Sequence, residues 1–387
     1  MREAARWAWA ILLLVACAPQ TAAPTSPSPR AASAAIVDRA ALDHVYGSYQ
    51  TADGGLLVVA RLGWFADARD STFRSLYAGG APGRMTVGPG FKLPSPTAAV
   101  LNFGETSLTI SSGGRATTAP RLTLKATDVE VSAVGARLTA TITEAPGPGP
   151  HPGIVLVHGS EPGQRYFYDF WVGLYTSLGI TVLTYDKRGV GQSTGTYGEY
   201  AAEDRLIQLA DDASAALDLL AAWPGVDPKR VGFQGSSQGG WIVPLAIARH
   251  GRGAFAILLS APAVTVGQQG IWNDFSSGGA TVPKETEDAM LAAVRKDRSG
   301  YDPAPALAKL RAPSLWVLGR HDRNVPTALS IENLRALNNA AVTIIDAGSG
   351  HSLLQSQTGL LVDDDRAPGF APEVIPGIST WVRKVVS

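Results

Sequence analysis

Cysteine is almost absent from this sequence. Its single cysteine, Cys17, lies near the N-terminus, so the folded remainder has no disulfide, no cysteine-ligated metal site and no thiol nucleophile. An excess of charge of one sign is also lacking, because 33 basic and 33 acidic residues give a formal net charge of zero. This balance gives no reason to expect a nucleic acid partner. No metal or nucleotide motif occurs, and we expect no cofactor.

Long apolar runs are missing as well, although a short one stands near the N-terminus at 7–16. As a helix it would rise about 15 Å, half of a ~30 Å hydrocarbon core, so a permanent membrane span is not expected. Together with the preceding Arg2 and Arg6 it predicts a signal peptide over 1–16. The Leu-Val-Ala-Cys stretch that ends at Cys17 resembles the bacterial lipobox.

That resemblance implies an exported, cell-envelope lipoprotein, bound to a membrane only through a lipid on Cys17. The alternative is a secreted soluble protein whose signal peptide is cleaved in the ordinary way. Residues 18–35 are rich in Ala, Pro, Ser and Thr and cannot bury enough apolar surface to fold. We therefore expect a disordered linker over 17–35.

Two regions with different patterns follow the linker. Residues 36–120 carry short β-like runs separated by Gly-Gly pairs, which predicts a small antiparallel β-rich accessory domain. Residues 121–387 open with a predicted hairpin and then alternate apolar strands with helical segments, which is typical of an α/β fold with a mostly parallel sheet. The predicted strands begin at 154, 180, 230, 255, 314 and 342, and the predicted helices cover 165–178, 200–222, 238–250, 327–337 and 372–386.

A G-x-S-x-G pentapeptide at 235–239 is the strongest chemical signal. It follows a predicted strand that ends at Phe233 and precedes an apolar helical run at 241–248, the strand–turn–helix context of a nucleophile elbow. Such a turn exposes the hydroxyl of Ser237 at a helix N-terminus, where the helix dipole favours developing negative charge. The alternative interpretation is a glycine-rich turn with a capping serine.

A serine hydroxyl needs a base to take its proton. His351 is the candidate base, because it is the histidine in a glycine-flanked loop after the sixth predicted strand. Asp322 follows the fifth strand and is the candidate acid that orients the imidazole. Asp346, after the sixth strand, is the rival for that role.

The chain order Ser, Asp, His resembles the α/β-hydrolase family over residues 121–387. By that resemblance, the His-Gly-Ser segment at 158–160 corresponds to the oxyanion loop, and the backbone N–H groups of Ser160 and Gln238 are the oxyanion donors. The run at 185–193 resembles another loop of the family, to which we assign a scaffold role.

The segment 264–305 is long for a plain crossover and lies where the family inserts a cap. Within it, Trp272 and Phe275 are candidates to line the substrate pocket, and packing beneath the cap is an equally good interpretation.

The resemblance implies a serine hydrolase that cleaves esters or thioesters of a small acyl substrate through an acyl-enzyme on Ser237. A first alternative is a serine peptidase or amidase similar to the prolyl oligopeptidase group, which usually carries a large β-propeller, and residues 36–120 are too few for one. A second alternative, from another class, is a non-catalytic binding lipoprotein on a hydrolase scaffold. It would require a broken triad, whereas all three members are present.

Overall fold

The computed structural model describes residues 37, 39–198, 200–276 and 284–386. The predicted signal peptide, Cys17 and the 17–35 linker lie outside these residues, as does part of the predicted cap. Among the described residues, no helix combines the length and the apolarity required to cross a bilayer.

The N-terminal region contains one short helix, α1 (Arg39–Leu42), and two antiparallel sheets. The first sheet consists of β1 (Gly47–Gln50), β2 (Leu56–Ala60), β3 (Trp64–Asp67) and β4 (Thr72–Ser75), in that order. The second consists of β5 (Tyr77–Ala78), β6 (Arg84–Val87), β7 (Ala99–Phe103), β8 (Ser107–Ser112) and β9 (Arg115–Pro120). The sequence predicted antiparallel strands here, and they are divided between two sheets.

A mixed sheet of eight strands forms the rest of the framework. Its strands are β10 (Ala126–Ala133), β11 (Ala136–Thr143), β12 (His151–Val157), β13 (Thr181–Tyr185), β14 (Val226–Ser236), β15 (Ala256–Leu259), β16 (Ser314–Gly319) and β17 (Val342–Ala347). Their spatial order is β10-β11-β13-β12-β14-β15-β16-β17. The pairs β10–β11 and β11–β13 are antiparallel, and all pairs from β13 to β17 in this order are parallel.

Helices cover both faces of this sheet. A 3₁₀ turn at Arg165–Tyr168 leads into α2 (Asp169–Ser177), followed by α3 (Glu203–Ala221), α4 (Gly239–His250), α5 (Val266–Ser276), α6 (Lys284–Val294), α7 (Ala304–Lys309), α8 (Thr327–Ala336), α9 (Leu361–Arg366) and α10 (Val374–Val385). The helices α5 and α6 lie within the predicted cap segment 264–305, and α7 begins at its end. The five helices expected from the pattern are present within a few residues of the predicted ends, and α4 continues through Pro244.

Successive residues of β12 enter opposite cores, because side chains alternate across a strand. Val155 packs into the core that contains residues of α3 and α4, whereas Ile154 packs into the core that contains residues of α2 and α10. Each strand of the centre is therefore buried on both sides, which explains its near-continuous apolar sequence.

The N-terminal sheets share one of these cores. In β2, Leu57 packs into a core made only of N-terminal residues, while Val58 packs into the core that also contains Leu174 of α2. Gly173 permits this contact, since a Cβ there would lie 2.8 Å from Val58 Cγ2. The first N-terminal sheet is therefore packed directly against the helical layer.

Candidate active site

Ser237 lies in a sharp turn between β14 and α4. Its φ is +50°, a left-handed conformation that non-glycine residues rarely adopt. The turn places the side chain at the N-terminus of α4, beyond the carboxyl end of β14, where parallel sheets bind ligands.

The turn has no room for side chains at the glycines on either side of Ser237. A Cβ on Gly235 would lie 2.6 Å from the carbonyl oxygen of Gly239, and a Cβ on Gly240 would lie 2.5 Å from Ala261 Cβ. Both distances are shorter than atoms tolerate, so larger residues would displace the backbone on either side of Ser237.

The structure brings the three predicted side chains together. His351 Nε2 lies 3.1 Å from Ser237 Oγ, and His351 Nδ1 lies 2.7 Å from Asp322 Oδ2. Asp322 is 3% exposed, and the second oxygen of its carboxylate accepts hydrogen bonds from the backbone N–H groups of Asn324 and Val325 at 2.7 and 2.9 Å. The carboxylate is thus held in place behind the imidazole.

The pKa of His351 reflects two opposing effects. Burial of the imidazole lowers this pKa, while the charge and hydrogen bond of Asp322 raise it, with smaller contributions from Asp364 and Glu161. The effects of the carboxylates together exceed that of burial, so the His351 pKa lies above the ordinary value of 6.5. An imidazole with this basicity is suited to accept a proton from a serine hydroxyl near neutral pH.

The rival carboxylate does not reach the imidazole. Asp346 Oδ2 instead lies 3.3 Å from Arg320 Nε in an exposed ion pair, and its backbone carbonyl also accepts a hydrogen bond from Arg320. The structure therefore favours Asp322 as the partner of His351.

The two predicted oxyanion donors flank the elbow. Val157, at the end of β12, pairs with Gly235 of β14, and this pairing brings the loop at 158–160 beside Ser237. Over the described part of the chain, the backbone N–H groups of Ser160 and Gln238 donate to no protein acceptor. Two unpaired N–H groups near a serine hydroxyl are suited to bind a developing oxyanion.

Comparison with known sequences identifies the family. Residues 167–372, more than half of the chain, match the prolyl oligopeptidase family (Peptidase_S9). The chain belongs to this family. The resemblance to α/β-hydrolases that the sequence indicated is thereby confirmed, and so is the α/β-hydrolase fold with a preceding β-rich region.

Two relatives match parts of this chain. An uncharacterized protein of Mycobacterium tuberculosis is 26% identical over 205 residues, which cover 53% of this chain and 64% of the relative. The chain therefore matches less than two thirds of that relative's length. A polyketide transferase from Penicillium crustosum is 39% identical over 83 residues, or 21% of this chain and 26% of the relative.

Two solved structures share the fold of this prolyl oligopeptidase family member. An esterase from Pyrococcus furiosus superposes with a TM-score of 0.50 at 15% identity, covering 68% of this chain and 92% of the esterase. An acylaminoacyl peptidase from Pyrococcus horikoshii gives a TM-score of 0.51 at 14% identity, covering 89% of this chain and 57% of the peptidase. At these identities the likeness shows a common fold.

Trp272, in the predicted cap segment, packs close to the three side chains of the site. Trp272 is 7% exposed and lies in a cluster with Val264, Val294 and Leu329. Its indole Nε1 donates to the backbone carbonyl of Asp322 at 3.1 Å. This arrangement agrees with the packing interpretation of Trp272.

Phe275 is the second of the predicted pocket residues. It is partly buried against the same cluster, and its ring centroid lies 6.1 Å from that of Trp272. Its contact with substrate stays a prediction.

A polar cluster beside the oxyanion loop was not identified from the sequence. Lys187, in the run treated as scaffold, is 2% exposed and donates to the carbonyl oxygen of Gly159 at 2.5 Å and to Gln238 Oε1 at 2.9 Å. Glu161 Oε1 accepts the Gly159 N–H at 3.2 Å. A charged residue two positions beyond the carboxyl end of a buried parallel strand was the available signal, since such positions face the site.

The histidine of the oxyanion loop has a structural contact. The ring of His158 is buried, and its Nε2 lies 2.5 Å from the carbonyl oxygen of Tyr185. This contact ties the loop to the end of β13, in keeping with the structural role expected for His158.

Proposed function

We propose that the protein is a serine hydrolase that cleaves acyl esters or thioesters through an acyl-enzyme on Ser237. The observation that carries the proposal is the continuous chain from the Ser237 hydroxyl through His351 to the buried Asp322, with contacts of 3.1 and 2.7 Å. A hydroxyl, a base and an orienting carboxylate in this arrangement have the parts that nucleophilic acyl transfer requires.

In the proposed first half-reaction, Ser237 Oγ attacks the acyl carbonyl and His351 Nε2 accepts the hydroxyl proton. The negative charge that develops on the carbonyl oxygen is stabilised by the N–H groups of Ser160 and Gln238. Asp322 stabilises the resulting imidazolium. The same histidine then donates its proton to the leaving alcohol or thiol as the tetrahedral intermediate collapses to the acyl-enzyme.

In the second half-reaction, water takes the place of the leaving group. His351 accepts a proton from the water as it attacks the acyl-enzyme, and the same donors bind the second oxyanion. Collapse of this intermediate releases the acid and returns the proton to Ser237. Both half-reactions therefore depend on the same base and the same N–H donors.

Cleavage of peptide or aryl amide bonds is the second candidate function. The prolyl oligopeptidase family match and the shared fold with an acylaminoacyl peptidase favour it. A β-propeller that gates a peptidase site needs at least four blades of about four strands each. The described N-terminal strands form only two sheets, of four and five strands, which argues against such a gate. The alcohol of an ester is also a better leaving group than the amine of an amide, so an ester substrate places a smaller demand on this site.

A fluorophosphonate probe tests the nucleophile. We expect the probe to label the wild-type protein and the Ser236→Ala variant, and to leave Ser237→Ala unlabelled. Ser236 is the matched control because it stands next to Ser237 in the same pentapeptide. A folded wild-type protein that stays unlabelled would favour the non-catalytic binding alternative.

A substrate panel tests the bond that is cleaved. p-Nitrophenyl esters of increasing acyl length are compared with aminoacyl p-nitroanilides at equal concentrations of active sites. We expect kcat/KM for the best ester to exceed that for the best anilide by orders of magnitude. Comparable values for the two classes would support the peptidase alternative.

We further propose that the protein is exported and held at a membrane by a lipid on Cys17. The lipobox-like sequence that ends at the single cysteine of the chain supports this proposal. Expression in a bacterial host with a clickable palmitate analogue should label the wild-type protein in the membrane fraction. Cys17→Ser should be unlabelled, and equal labelling of both proteins would contradict lipidation at this residue.

A further inference from the structure

The buried ammonium of Lys187 joins the two backbone segments that carry the proposed oxyanion donors. One N–H of Lys187 Nζ donates to the carbonyl oxygen of Gly159 at 2.5 Å, on the loop after β12. Another donates to Gln238 Oε1 at 2.9 Å, at the start of α4. The amide of Gln238 also donates through Nε2 to the carbonyl oxygen of Tyr200, so its side chain is held at both ends.

Two neighbours of Lys187, Tyr197 and Glu161, make further hydrogen bonds to the same loop. The ammonium lies 5.5 Å from the centroid of the Tyr197 ring, and the Tyr197 hydroxyl donates to the carbonyl oxygen of Ser160. Glu161 accepts the N–H of Gly159 at 3.2 Å. The loop is therefore held at three backbone groups that flank the Ser160 N–H: the Gly159 N–H, the Gly159 carbonyl and the Ser160 carbonyl.

The contact with Gly159 acts directly on the N–H of Ser160. The Gly159 carbonyl and the Ser160 N–H belong to one planar trans peptide, in which the two groups point in opposite directions. A cation that holds the carbonyl therefore fixes the direction of the N–H. It also polarises the peptide, because a hydrogen bond at the carbonyl strengthens the donor on the other side.

We propose that Lys187 is a positioning residue of the oxyanion hole, which it aligns through Gly159 and Gln238. This inference rests on the proposed acyl-transfer function. It adds a positioning role for Lys187 to the scaffold role that the sequence suggested for the run at 185–193.

The burial of a cation at this place supports a functional role. Desolvation lowers the pKa of Lys187 to about 8, an effect that the charges of Glu161 and Asp212 oppose and that of Arg205 reinforces. A buried ammonium is unfavourable compared with an apolar side chain of the same length. A positive charge one peptide away from the oxyanion stabilises the transition state more than the ground state, which gives a reason for its presence.

Lys187→Met is the principal test, because it removes the charge and the donors while it keeps the length of the side chain. Lys125→Met is the control, since it makes the same substitution at a lysine in an exposed ion pair with Glu144. Active sites are counted by the p-nitrophenol burst, and kcat and KM are measured for the best p-nitrophenyl ester. We expect kcat to fall about 10- to 100-fold in Lys187→Met, less than the loss of a whole oxyanion donor.

KM should change little in Lys187→Met, because acylation and deacylation both pass through an oxyanion and slow together. A trifluoromethyl ketone, which forms a tetrahedral oxyanion adduct with the serine, should lose affinity by the same factor as kcat/KM. A purely structural role would reduce the number of active sites and leave kcat per site and the inhibitor affinity unchanged, and that result would overturn the inference.

Gln238→Met provides a second route if Lys187→Met does not fold. It removes the side-chain acceptor of Lys187 and keeps the backbone N–H, and we expect a smaller loss of kcat. When both single variants fold, the double variant should lose less than the product of the two single effects, since both remove one connected set of contacts. Unchanged kcat in Gln238→Met, or full multiplicativity, would contradict the inference. Failure of the wild-type protein to hydrolyse any ester would instead contradict the proposed function.

Discussion

The backbone N–H of Ser237 donates to the carbonyl oxygen of Leu259 at 2.9 Å, although Ser237 has a φ of +50°. A non-glycine residue in this conformation costs about 1–3 kcal/mol and persists only when its surroundings hold it. Here the neighbouring strand β15 supplies the acceptor, so the unfavourable turn is fixed by the sheet next to it.

The glycines of the turn provide a test of this geometry. We expect Gly235→Ala to lower the free energy of unfolding by about 1–3 kcal/mol and to reduce the rate of fluorophosphonate labelling, because its Cβ would press on backbone atoms. Gly270→Ala is the control, since a Cβ there meets nothing within 4 Å. Labelling of Gly235→Ala at the wild-type rate would show that the turn tolerates a larger residue.

The base is tested by His351→Ala, for which we expect kcat to fall by about four to six orders of magnitude. His250→Ala is the control, because His250 pairs with Asp211 at the far end of α4, with a distance of 2.7 Å between Nε2 and Oδ1. Retained turnover in His351→Ala would refute the assignment of the base.

The choice between the two carboxylates is tested by asparagine substitutions. Asp322→Asn should reduce kcat by about 10⁴-fold, because an amide at this place favours the wrong imidazole tautomer and leaves imidazolium unstabilised. Asp346→Asn should change kcat less than about two-fold, as it alters only an exposed ion pair of the kind that contributes little. Equal losses in the two variants would show that the assignment of Asp322 is wrong.

The pH dependence of kcat/KM reports the state of the base. His351 must be neutral to accept a proton, so activity should be lost as the pH falls through the His351 pKa, which lies above 6.5. The charge of Asp364 contributes to this raised pKa, and Asp364→Asn should therefore move the acid limb to lower pH. Asp365→Asn is the control, because Asp365 pairs with Lys92 at 3.3 Å. An acid limb that stays in place in Asp364→Asn would contradict this coupling.

The buried ion pair of Arg188 and Asp212 predicts a large effect on stability. Arg188 is 2% and Asp212 1% exposed, and Arg188 Nε donates to Asp212 Oδ2 at 2.9 Å. Arg188→Met should lower the free energy of unfolding by about 3–5 kcal/mol, because it leaves a buried carboxylate without its partner. The double variant Arg188→Met/Asp212→Leu should recover most of that loss in chemical denaturation. A double variant as unstable as the single one would contradict this account.

Much of the site could be predicted from the sequence because each candidate follows a recognisable strand. Ser237, Asp322 and His351 come after three different parallel strands, and the carboxyl ends of such strands meet at one edge of the sheet. Spacing within the G-x-S-x-G pentapeptide further distinguished Ser237 from Ser236. The fold class followed from the same alternation of apolar strands and helices.

Other features could not be predicted, because they depend on which way side chains and peptides point. Asp346 also follows strand-like sequence, yet it pairs with Arg320 at the surface. Trp272 was equally compatible with a pocket and with packing, and its hydrogen bond to the Asp322 carbonyl appears only in the folded chain. The shared core between β2 and α2 likewise joins segments that are far apart in sequence.

By itself, the sequence determined the order of the elements and the residues able to act as nucleophile, base and acid, since local pattern decides where strands end and turns begin. Only the tertiary structure decided that Asp322 reaches His351 and that Lys187 donates a hydrogen bond to the Gly159 carbonyl, in the peptide that precedes Ser160. These relationships depend on distances across separate loops. Such distances follow from the packing of the whole sheet and not from any local stretch of chain.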